Sequence, residues 1–122
     1  MSGAFVHAFK SLFEHYSDIP IDIEFCGKPY PIQYTYAEEL FRKNAIARGL
    51  LPPTKCFGIG DNPKSDIRGA NRAGGHWRSV LVRTGVFQGG ENDAEDPADF
   101  VVRDVLEAVR LIEDLALQER TN

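Results

Sequence analysis

No stretch of this sequence approaches the ~18 consecutive apolar residues that a membrane-spanning helix needs. No basic run or arginine-rich stripe offsets a formal net charge of −4, so neither a membrane nor a nucleic acid is an expected partner. Cysteine is scarce. Cys26 and Cys56 stand far apart and form no CxxC pair, so free thiols in a reducing compartment are expected. Residues 1–17 lack a continuous apolar core and a cleavage signature, and they carry Glu14, so no signal peptide is expected. There is no internal repeat and no low-complexity tract. The apolar fraction of 43% over 122 residues is too high for a disordered chain and suits one domain. Together these absences describe a soluble, intracellular, cytoplasmic or mitochondrial protein.

Apolar and polar residues alternate with clear periods. Phe5, Val6, Phe9, Leu12, Phe13 and Tyr16 recur at helical spacing, which predicts a core-facing helix over 3–16. Residues 19–25 alternate, which predicts a strand, with Pro20 placing its start near an edge. Gly27-Lys28-Pro29-Tyr30-Pro31 is a stiff turn. Thr35 and Glu38 have capping-box spacing, and Gly49 is placed to end the helix behind them. Short apolar runs over 54–60, 77–82 and 100–102 predict buried parallel strands, with a short helix over 65–73. Asp104 and Glu107 suggest a second capping box at the start of the last helix. The acidic loop 86–98 reads as a solvated surface. The order of elements predicts an α/β fold, a parallel sheet with helices on both faces.

The chemistry concentrates in Cys56-Phe57-Gly58-Ile59-Gly60-Asp61-Asn62-Pro63-Lys64-Ser65-Asp66-Ile67. A strand ends in glycine, an aspartate follows at once, and a second aspartate stands where a helix begins. Open α/β sheets bind ligands at this end of their strands. Asp61 suits either a Mg²⁺ ligand or a cap for the following helix. Asp66 suits either a functional acid or an acid favoured by the helix dipole. Lys28, held by Pro29, is either solvated or a fixed positive charge for phosphate or carboxylate. A dinucleotide fingerprint fails, because the third glycine would fall at Pro63.

The stretch from Gly60 to Asn71, with Ala73-Gly74 and Ser79-Val80-Leu81-Val82-Arg83-Thr84-Gly85-Val86, resembles the fourth motif of the haloacid dehalogenase (HAD) superfamily. It resembles most its subfamily IIA, and within that the group of cat eye syndrome critical region protein 5. Gly27-Lys28-Pro29 is similar to the third motif, and Gly3-Ala4-Phe5 to the segment returning from the cap domain to the core. The resemblance implies Mg²⁺-dependent phosphoryl transfer through an aspartyl intermediate. It makes Asp61 a Mg²⁺ ligand. Asp66 would hold a water or the lysine, and Lys28 would steady the nucleophile and the phosphoryl oxygens.

The sequence departs from that family in what it does not contain. The first motif, an apolar strand ending Asp-x-Asp-Gly-Thr, is absent, and its first aspartate would be the nucleophile. The second motif and the cap are absent too. The resemblance therefore implies one partial domain over 1–122, the C-terminal half of a HAD-like Rossmannoid core, inactive by itself. In the family fold the first-motif strand lies beside the fourth-motif strand, so the 54–60 strand is expected to keep an open edge. That edge invites a second copy or an N-terminal fragment. A completed site would take a phosphorylated small molecule. The alternative is a non-catalytic paralogue acting as a partner-binding module.

Overall fold

Three parallel strands form the centre: β1 (Cys56–Gly60), β2 (Trp77–Val82) and β3 (Phe100–Val102), in the order β1-β2-β3. The computed structural model describes residues 2–121. Around the sheet lie α1 (Ser2–Tyr16), α2 (Ile32–Ala47), α3 (Arg68–Ala73) and α4 (Val105–Thr121). A single π-helical turn, Pro63–Ile67, joins β1 to α3. The register sets Gly60 opposite Leu81, and Val82 opposite Val102. This is an α/β arrangement with a parallel sheet, as the order of elements predicts, and it is consistent with the partial HAD-like core that the resemblance implies.

Strand alternation sends side chains to two faces, and helices cover both. On one face Cys56 and Trp77 pack with Tyr34 of α2 and Ala70 of α3. Further along that face, Leu81 packs with Ile67, Phe87 and Ala98. On the other, Val80 and Val82 pack with Ala108 of α4, beside Phe57 and Phe100. Central β2 is therefore buried on both sides, and Val80 and Leu81 are fully buried.

Helix ends follow the residues that sit there. Gly49 adopts φ 69°, and the Gly49 and Leu50 N–H groups donate to Ile46 and Ala45 carbonyls, a Schellman stop. The 104–107 box forms in part. Asp104 Oδ1 accepts from Glu107 N–H at 2.9 Å, while Glu107 reaches back to Arg103 N–H instead of that of Asp104. The 35–38 box does not form. Pro31, with φ already near −65°, starts the helix at Ile32, which leaves Thr35 inside the first turn.

Two further expectations are corrected. Residues 19–25 form no strand. Alternation alone does not make one: a strand needs a neighbour, Pro20 removes a donor, and nothing among the described residues pairs with this segment. The α1 stripe is likewise not core-facing here. Phe5, Phe9, Leu12 and Tyr16 are exposed, and among the described residues α1 packs closely against no other element.

Candidate metal and phosphate site

The C-terminal end of β1 gathers the three residues singled out in the sequence. Gly60 ends the strand and Asp61 follows. The π-helical turn then brings Asp66 back beneath Gly60 so closely that a Cβ there would lie 2.3 Å from Asp66 Cβ and Cγ. Glycine at 60 is thus required by the approach of the second acid. Asp66 is buried, and both its carboxylate oxygens are engaged. Oδ2 accepts from Asn62 N–H at 3.1 Å, and Oδ1 accepts from Lys28 Nζ at 2.5 Å. Lys28 arrives from the 27–31 turn, whose Lys28–Pro29 bond is cis.

Tyr34 ties α2 to the same corner. Its hydroxyl donates to the Asp66 carbonyl at 3.2 Å. Burial pushes the Tyr34 phenol up. The hydrogen bond to Asp66 raises the Lys28 ammonium above the ordinary lysine value. Partial burial opposes this, and the charges of Asp66, Tyr34 and Asp61 add to it. Lys28 thus stays a cation at every physiological pH, held by one buried carboxylate and within the field of another. A cleft of about 270 Å³ opens beside the pair, lined by Lys28, Tyr34, Gly58, Ile59, Asp66 and Trp77.

Asp61 is half-buried at the rim. It does not cap the turn that follows: Asn62 does, accepting from Lys64 N–H at 3.1 Å through Oδ1. Asp61 turns instead toward the loop after β2. Val86 N–H donates to its Oδ2 at 2.6 Å, and Phe87 N–H donates to its carbonyl at 2.9 Å. Sequence spacing gave no sign of this bond between residues 25 apart.

Among the described residues, no group of three His, Cys, Asp or Glu side chains converges on one point. The donors fit a sparsely ligated, water-rich cation. Asp66 is fully committed, whereas Asp61 Oδ1 has no hydrogen-bond partner among the described residues. Mg²⁺ is commonly held by one or two carboxylates with waters and phosphate oxygens completing its shell. The acidic loop is tied to the core. Its Asp96 is buried and paired with Arg68 at 2.8 and 2.7 Å, a correction to the wholly solvated surface expected there.

Comparison with known proteins shows the family of the chain. A HAD-hydrolase-like family model matches residues 25–108, from the Lys28 turn to the start of α4. The chain belongs to the HAD-like hydrolases. It is 41% identical over 88% of its length to a cardiolipin synthase (CMP-forming)/mitochondrial hydrolase fusion protein of Schizosaccharomyces pombe. It is 30% identical, again over 88% of its length, to a mitochondrial hydrolase of Saccharomyces cerevisiae. It spans 18% of the first relative and 35% of the second. No helix among the described residues is long and apolar enough to cross a membrane.

Proposed function

We propose that this chain supplies the metal- and lysine-bearing part of a Mg²⁺-dependent, phosphatase-type HAD hydrolase. We place it in subfamily IIA, near the cat eye syndrome critical region protein 5 group. The observation that carries this is the Lys28–Asp66 pair set beside Asp61 at the carboxyl end of β1. In this reading Asp61 would hold Mg²⁺ through Oδ1, and the ion when bound would offset charge on phosphoryl oxygens. Lys28 contributes a second, fixed positive charge to the same oxygens. Asp66 touches no substrate: it aims the lysine and keeps it charged. The attacking carboxylate comes from outside these 122 residues, which contain no Asp-x-Asp-Gly-Thr strand. The substrate is a phosphorylated small molecule, and the names of the two relatives favour a mitochondrial location.

Hydrolysis of a generic aryl phosphate with Mg²⁺ tests the enzymatic role, first by this chain and then with an N-terminal fragment bearing the first motif. Turnover on completion that is lost in Asp61→Ala supports it. No turnover from a folded, completed protein refutes it.

A second reading, a non-catalytic partner-binding module, is favoured by the edge of β1, which is unpaired among the described residues. A compact monomer of 13.6 kDa exposes about 6,600 Å². This chain exposes 9011 Å². The difference is on the scale that an extensive interface covers. The edge would take a strand from a second copy or from an N-terminal fragment. Light scattering after size exclusion at low concentration checks this, and a stable monomer would count against it.

A further inference from the structure

The segment Thr84-Gly85-Val86 belongs to the stretch that marks the family, yet the reading above gives it no task. We infer that the 84–87 turn is the positioning device for Asp61: it commits one carboxylate oxygen and leaves the other as the single oxygen a cation can take. This rests on the metal role proposed for Asp61, but its geometry stands apart from any ion.

Three observations converge. The Val86 N–H donates to Asp61 Oδ2 at 2.6 Å, and an amide bond to a carboxylate is stronger than one between neutral groups. Phe87 N–H fixes the Asp61 carbonyl at 2.9 Å, so backbone and side chain of the acid are gripped by consecutive amides. Phe87 is itself anchored, with its ring buried against Ile67 and Leu81. Gly85 completes the clamp. A Cβ there would lie 1.9 Å from Asp61 Oδ2 and 2.5 Å from Cγ. Its φ is not in the left-handed region, so the backbone does not ask for glycine; the neighbouring carboxylate does.

A carboxylate held this way has little freedom to chelate with both oxygens. A single oxygen suits the near-octahedral shell of Mg²⁺, whereas Ca²⁺ accepts bidentate carboxylates in larger, looser shells. The turn therefore sets both the direction of the ligand and its denticity. Gly85 and Val86 act through Asp61 and touch no substrate.

Amide exchange by NMR tests the clamp without metal. Val86 has an exposed side chain and lies in no strand or helix, so protection of its N–H reports its bond to Asp61. The expected result is a protected Val86 amide whose exchange accelerates about tenfold or more in both Asp61→Ala and Gly85→Ala, the scale for losing a hydrogen bond to a charged group. Gly90→Ala, in the same loop with open space around the new methyl, leaves the exchange unchanged. A Val86 amide that exchanges equally fast in wild type and Asp61→Ala overturns the inference, even if Gly85→Ala does not fold. Titration with Mg²⁺ and Ca²⁺ then separates the two claims. Weaker Mg²⁺ binding in a Gly85→Ala chain that stays folded, with a smaller preference over Ca²⁺, supports the positioning role. Equal Mg²⁺ binding by Gly85→Ala and wild type overturns it. A protected Val86 amide in a wild-type chain that binds no Mg²⁺ contradicts the metal reading alone and upholds the clamp.

Discussion

Strands β1 and β2 lie side by side, yet they live in different surroundings. β2 has a neighbour on each side and helices on both faces, and its last four residues are buried. Among the described residues β1 has one neighbour, and Ile59 is 37% exposed on this edge strand. Beside β1 an apolar groove of about 590 Å³ is lined by Phe41, Ala45, Leu50, Leu51 and Phe57. The contrast extends along the chain. From β2 onward, loops are knitted to the core by Arg68–Asp96 and by Asp99, which accepts from Ser79 N–H at 2.8 Å. Before β1, α1 and the 17–31 segment leave phenylalanine and isoleucine exposed. An apolar pattern states what needs covering; it does not state what covers it.

The largest effect that can break this contrast is in the core. Leu81→Ala should cost about 3 kcal/mol in urea unfolding, because it removes a fully buried side chain from a packed cluster. Leu12→Ala on α1 should stay within about 0.5 kcal/mol. Equal costs would mean that α1 is covered in solution. Next, Gly60→Ala should destabilise by about 1–3 kcal/mol through overpacking against Asp66. An unchanged unfolding midpoint there would show that Asp66 does not approach the strand end as described.

A smaller effect comes from pH. The hydrogen bond from Arg68 holds the Asp96 carboxyl below its ordinary value. A depressed folded-state pKa gives stability that is present above the unfolded value and lost as pH falls through the folded one. Stability should thus drop on the acid side of the usual aspartate range, and Arg68→Ala should flatten that limb. An unaltered acid limb in Arg68→Ala would contradict the pairing. Smallest is Gly3→Ala, which meets open space within α1 and should raise helicity by circular dichroism without moving the core transition. A shifted core transition would couple the two regions.

Much of the closed region is legible in the sequence, because local rules and tertiary needs agree there. The runs at 77–82 and 100–102 are strands, Gly49 stops α2, and Asp104 caps α4. The open region misleads for one physical reason: the stripe of α1 and the alternation of 19–25 are real, but neither finds a partner among the described residues. At the site, Lys28 and Asp66 are 38 residues apart, and only the family resemblance joined them before the structure did. The capping role went to Asn62 instead of Asp61, since Asp61 is claimed by Val86 across a loop that no local spacing rule reaches. Asp96, read as one more solvated acid, is the buried partner of Arg68.

The central claim is that Asp61 presents one oxygen at the sheet rim to a divalent ion, within the field of the Lys28–Asp66 pair. Paramagnetic broadening of backbone amides by Mn²⁺, used in place of Mg²⁺, tests it most directly. The account predicts broadening centred on residues 60–62 and 85–87, competed by Mg²⁺ and abolished in Asp61→Ala. Broadening confined to the acidic loop at Glu91, Asp93 and Glu95, unchanged in Asp61→Ala, would contradict it.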